Sequence, residues 1–213
     1  MNTSYFSNIL SAGCAVRPFM VAGTLEKDYT GTRDRTEVRA YLESSVAQAA
    51  EELRGRDFKE YDTFEVCGMQ GVWTVCDALS PRYAAGHYYI MEKLGIMPVY
   101  LNLESETEQN ITVKINAGRI LALLNDEIVY NNTDLYGRRH KRRYVFEHVS
   151  DDFIELAHMR LKAGKNRFVI ITACLGRGTG MQFSMELTAC EAPVTASVRF
   201  GRSRAEPCPA ASS

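Results

Sequence analysis

The sequence has no uninterrupted apolar stretch of about eighteen residues, the length a spanning helix needs, so no transmembrane segment is expected. It opens without a basic leader. The stretch MNTSYFSNILSAGCAV is only briefly apolar and is broken by Ser and Asn, so no export signal is expected. The triplets opened by Asn2, Asn110 and Asn131 match a glycosylation pattern that has meaning only in an exported chain. None of the six cysteines (Cys14, Cys67, Cys76, Cys174, Cys190 and Cys208) forms a C-x-x-C pair, and most lie in apolar runs. They read as reduced, small, mostly buried side chains, and a cytoplasmic or nuclear setting follows.

Catalytic signatures are also missing. The four histidines, His87, His140, His148 and His158, fit neither H-E-x-x-H nor any Cys/His spacing suited to a metal. There is no G-x-S-x-G. Gly176-Arg177-Gly178-Thr179-Gly180 follows an apolar run, as a phosphate-cradling loop would. No Gly-Lys-Ser/Thr accompanies it, and the next segment alternates like a strand, so a glycine-rich hairpin is the expectation. Cys67 and Cys76 stand near Glu65 and Asp77, and negative neighbours discourage a thiolate nucleophile. No cofactor is expected.

Against these absences stands an ordinary globular composition. The 213 residues are 46% hydrophobic and 24% charged, which excludes wholesale disorder. The formal net charge of −1 hides an uneven layout. Residues 51–136 hold seven Lys or Arg against fourteen Asp or Glu, whereas residues 137–167 hold nine against four. Such asymmetry points to an anionic partner or to head-to-tail contact between copies.

Hydrophobic spacing predicts two main helices. Asp34 or Thr36 can cap the first, Val38, Leu42, Val46, Ala49 and Leu53 form its stripe, and Gly55 ends it. The second would start at Ser150, with Asp151 and Asp152 in its first turn. Phe153, Ala157 and Leu161 would make its stripe, and Gly164 its C-cap. Elsewhere strands dominate. Residues 15–24, interrupted by Pro18, read as an edge strand. Residues 87–91 and 96–101 read as a pair turning at Leu94-Gly95. Residues 111–115 alternate as a half-buried strand, and 119–130 read as a hairpin turning at Asn125-Asp126. Tyr144–Val149 reads as a strand, Phe168–Leu175 as a central buried strand, and 181–190 and 194–200 as the last two. The expected fold is a single α+β domain over 1–200, with a mainly antiparallel sheet, two main helices and a flexible tail at 201–213.

The most specific motif is Arg138-Arg139-His140-Lys141-Arg142-Arg143. Guanidinium groups fork onto phosphate oxygens, so a loop of this kind can follow a nucleic-acid backbone, read as a nuclear-import signal or touch anionic lipid. Tyr136 and Tyr144 flank it and could stack on bases, and Arg177 could extend the basic surface. The reading is a non-enzymatic protein that associates with nucleic acid or another polyanion. Self-assembly into a homo-oligomer and a coat-, matrix- or regulatory-type role, such as a viral one, would suit it. Two alternatives remain open. One is a hydrolase using His148 with Asp151 or Asp152 at the start of the second helix. The other is an interaction module that recruits a basic partner through the acidic middle.

Overall fold

The structure is a computed structural model and describes residues 5–23, 25–28, 34–76, 83–85, 93–117, 119–133, 153–176 and 181–201. The described chain is 63% strand and 13% helical, with a single helix. The expected α+β fold with two main helices is therefore incorrect, and the protein is mostly antiparallel β-sheet.

The strands in chain order are β1 (Tyr5–Leu10), β2 (Cys14–Ala15), β3 (Phe19–Val21) and β4 (Leu25–Asp28). After the helix α1 (Arg35–Leu53) come β5 (Thr63–Val66), β6 (Met69–Val72), β7 (Thr74–Cys76) and β8 (Tyr83–Ala85). The long β9 (Lys93–Ser105) is followed by β10 (Gln109–Asn116), β11 (Arg119–Leu124) and β12 (Glu127–Asn131). The last four are β13 (Phe153–Leu161), β14 (Gly164–Gly176), β15 (Met181–Cys190) and β16 (Val194–Arg199).

A nine-stranded sheet runs in the order β1-β16-β9-β14-β11-β12, with β3, β4 and β7 attached beside β9. A five-stranded sheet runs β13-β10-β15-β2, with β8 on β15. The rings of Phe19 in β3 and Phe183 in β15 meet at 5.3 Å, so the two sheets pack through their apolar faces. The opposite face of the large sheet is covered by α1, which lies against β14 and β11. This double cover explains the nearly continuous apolar runs of its central strands. Ile96, Met97, Val99, Tyr100 and Leu101 in β9, Phe168–Ile171 in β14 and Ile120–Leu124 in β11 are all buried. In the five-stranded sheet, β10 buries Ile111, Val113 and Ile115 while Thr112 and Lys114 between them remain half-exposed, the pattern of a sheet with one wet face.

The expected second helix is the strand β13. Ile154, Leu156, Met159 and Leu161 are buried, and Glu155, Ala157, His158 and Arg160 are exposed. His158 has φ 56, and the pairing with β10 slips there, so that Ile111 faces Met159 while Val113 faces Leu156. This bulge inserts one residue and shifts the alternation by one position. The step from Leu156 to Met159 then imitates helical spacing. Gly164, read as a C-cap, turns β13 into β14 with φ +90; both roles require the same left-handed backbone. Ser150, Asp151 and Asp152 lie outside the described residues.

Leu94-Gly95 is not a turn. It lies within β9, which pairs with β14 from Lys93 to Ser105. The run 15–24 is not one edge strand either. β2 belongs to the small sheet, and β3 lies between β7 and β9 in the large one, so the chain changes sheets around Val16–Pro18.

Other expectations match the structure. Asp34 caps α1 by accepting from the backbone N–H of Thr36 (2.8 Å) and Glu37 (3.2 Å). Leu42, Val46, Ala49, Ala50 and Leu53 are buried. The hairpin of β11 and β12 turns at Asn125 (φ 51) and Asp126 (φ 72), the two positive φ values of a type I′ turn. β14 is the buried strand expected near residue 170, seated between β9 and β11. Among the described residues, the buried apolar side chains form one cluster.

Candidate functional site

The residues expected to bind an anion, Arg138, Arg139, His140, Lys141, Arg142, Arg143 and Arg177, lie outside the described residues, as do Tyr136, Tyr144 and His148. The described chain shows the strands on either side of these stretches of sequence. The segment from Asp134 to Asp152 joins β12, which ends the large sheet, to β13, which ends the small one. These two strands touch. Arg177 follows Gly176, the last residue of β14.

Sequence reasoning missed a polar ladder on the helix-covered face of the large sheet. Directly opposed residues of antiparallel strands point to the same side. Ser197, Asn102 and Arg167 therefore form one row across β16, β9 and β14, and Thr195, Glu104 and Lys165 form the next. Ser197 Oγ donates to Glu104 Oε1 at 2.9 Å. Two loops close over the ladder. The turn after α1 brings Asp57, whose Oδ1 accepts from the Tyr100 hydroxyl at 3.1 Å and whose Oδ2 accepts from Lys165 Nζ at 3.2 Å. The β11–β12 turn brings Asp126, which pairs with the Arg167 guanidinium and accepts the Gly55 N–H at 2.9 Å. Arg167 also donates to the Arg56 carbonyl at 2.8 Å. Asn125 accepts the Arg167 backbone N–H at 3.0 Å and donates to Asn166 Oδ1 at 2.8 Å. The signal was present as two-residue spacing in Tyr100-x-Asn102-x-Glu104 and Lys165-x-Arg167, polar positions inside or beside apolar runs.

The electrostatics of this ladder favour fixed charge over proton transfer. Burial raises the Asp57 carboxyl, but the bond and charge of Lys165, the Tyr100 hydroxyl and Arg167 outweigh it and hold Asp57 below the ordinary carboxylate range. Burial, followed by the Asp57 charge, pushes the Tyr100 phenol far above its ordinary value. Both groups move away from neutrality, where a general acid or base would be tuned. The cations of Lys165 and Arg167 are already neutralised by carboxylates. The arrangement clamps α1 and the β11–β12 hairpin to the sheet.

Beside it, Phe58, Phe64, Trp73 and Tyr100 pack ring against ring, with Phe64 stacked on Trp73 at 4.8 Å. Among the described residues, the thiols divide by setting. Burial and the nearby Glu52 charge push Cys67 up to about 11, and burial alone pushes Cys76 to about 11. The Ser11 hydroxyl beside Cys14 lowers that thiol from its ordinary value. No group of three or more His, Cys, Asp or Glu among the described residues is placed to hold a metal ion, and no described helix is long and apolar enough to cross a membrane. No protein-family model matches the sequence, and no curated protein matches it.

Proposed function

We propose that this protein associates with nucleic acid or another polyanion through the segment Arg138-Arg139-His140-Lys141-Arg142-Arg143, without enzymatic chemistry at that site. The observation that carries this reading is six consecutive basic-type side chains between β12 and β13. Six of the described cations are engaged within the fold instead. Arg39, Arg54, Lys59, Arg160, Lys165 and Arg167 are each paired with a carboxylate of the fold. In sequence, the local positive charge of 138–143 adjoins the acidic stretch 51–136, a layout that favours a polyanion over a polycation at the basic segment.

Phosphate contacts release condensed counterions, so affinity falls steeply with salt. With about four phosphates contacted, log affinity against log salt should slope at about −3.6 on duplex and about −2.8 on a single strand. Replacing Arg138, Arg139, Lys141, Arg142 and Arg143 with Ala should flatten the slope and weaken all sequences alike, because phosphate contacts carry no base information. An unchanged affinity and slope in that variant would remove the segment from the binding site.

A further inference from the structure

One long edge of the large sheet, β1, lacks the usual guards against strand addition. β1 pairs with β16 in unbroken register from Tyr5↔Arg199 to Leu10↔Val194. Among the described residues, nothing pairs with its outer side. Free strand edges invite another strand, and proteins guard them with charge, proline or bulges. Three other outer strands, β12, β13 and β4, are guarded in this way. β12 opens with Glu127 and is bulged where its pairing with β11 shifts between Ala122 and Leu123. β13 carries Glu155 and Arg160 and the bulge at His158. β4 carries Glu26, Lys27 and Asp28. β1, with the sequence YFSNIL, has no charge, no proline and no bulge.

The same edge gathers exposed apolar side chains. Ile9 is 78% exposed, and Tyr5 and Phe6 are also exposed. Exposed Phe200 meets Phe6 edge-to-face at 5.1 Å, and Gly201 beside it lies against exposed Tyr61. Tyr5 and Ile9 stand on one face of the strand and Phe6 with Phe200 on the other, so the edge is apolar on both sides, as at an interface.

We propose that a second copy of this chain occupies the edge, with β1 pairing antiparallel to β1 across a twofold axis at Ser7 and joining two nine-stranded sheets. The strand is complementary to itself in that register. Tyr5, Ser7 and Ile9 share one face, so Tyr5 lies opposite the partner's Ile9, Ser7 opposite the partner's Ser7, and Phe6 opposite the partner's Asn8. Each exposed Tyr–Ile pair is an aromatic–β-branched contact of the kind that stabilises sheets. No like charges are brought together, because the strand carries none. The contact is isologous and closes at two copies. One six-residue strand with its flanking rings covers less than the roughly 800 Å² per partner of a standard interface, so the dimer is expected to dissociate on dilution. The pairing does not depend on any polyanion.

Sedimentation equilibrium of nuclease-treated full-length protein, free of nucleic acid by absorbance, tests the proposal. The mass should rise from 23.9 kDa toward twice that value as concentration increases. Ile9→Lys and, separately, Tyr5→Lys place charge on exposed positions that the monomer tolerates. Each should weaken dimerisation by about tenfold or more, at about 1.4 kcal/mol per tenfold, with an unchanged far-ultraviolet spectrum. Ser7→Cys should form an intermolecular disulfide under mild oxidation that the parent, with its native cysteines, does not form. A monomer at every concentration, or a dimer indifferent to both lysine variants, would overturn the proposal. A dimer that weakens with both lysines but leaves Ser7→Cys uncoupled would overturn the twofold at Ser7.

Discussion

The Tyr100 hydroxyl donates to Asp57 Oδ1 at 3.1 Å and lies 3.2 Å from Asn102 Oδ1. One phenol in the middle of β9 thereby fastens the turn that follows α1 to the large sheet. Tyr100→Phe keeps the ring in its aromatic cluster and removes the donor. Chemical denaturation should show a loss of about 1–3 kcal/mol, the cost of leaving a buried partner unsatisfied.

The Asp57 carboxyl is held below its ordinary range, chiefly by Lys165 acting against burial. The unfolded chain therefore binds more protons across the interval between the folded and unfolded values. Stability rises with pH there and is lost as pH falls through the folded value. Unfolding curves for the parent should steepen in their acid dependence below about pH 4, and those for Asp57→Asn should lack that component. The side chain is half-exposed, so solvent screening keeps the effect modest.

Leu161 in β13 is fully buried. Leu161→Ala should cost about 2–5 kcal/mol. The continuous core predicts a single thermal transition that moves as a whole. Two calorimetric transitions, only one of them displaced, would contradict that expectation.

A Cβ at Gly71 would sit 2.7 Å from Phe64 Cζ and 2.8 Å from Phe64 Cε1. The Phe64 ring is confined by Trp73 and Phe58 and has little room to yield. Gly71→Ala should destabilise by about 1–3 kcal/mol through overpacking. The emission of the single tryptophan should shift with it, because Trp73 stacks on the displaced ring.

Among the described thiols, Cys14 should be alkylated before Cys67 and Cys76 at pH 7.5. Its neighbour Ser11 favours the thiolate, whereas burial holds the other two protonated. Mass spectrometry of a timed iodoacetamide reaction should show this order. Ser11→Ala should slow the reaction at Cys14.

Local information was sufficient for some elements. α1 was legible because its cap at Asp34 and its stripe from Leu42 to Leu53 are decided within the segment. The Asn125-Asp126 turn was legible because its residue types tolerate positive φ. β14 was legible from its apolar run, and the charge of 138–143 is a property of composition alone. Tertiary structure decided the rest. β13 carries helix-like caps and spacing, yet it is a strand because β10 offers its backbone a ladder of partners and a core for Ile154, Leu156, Met159 and Leu161. That long-range pairing outweighs local preference, and the bulge at His158 disguises the alternation. β9 continues through Leu94-Gly95 for the same reason, with β14 pairing along its whole length. Asp57 and Lys165 stand 108 residues apart in sequence, as an acidic turn and a basic strand end. Only the folding of α1 onto β14 brings their charges together, and charges separated so far along a chain carry no local signal of their pairing.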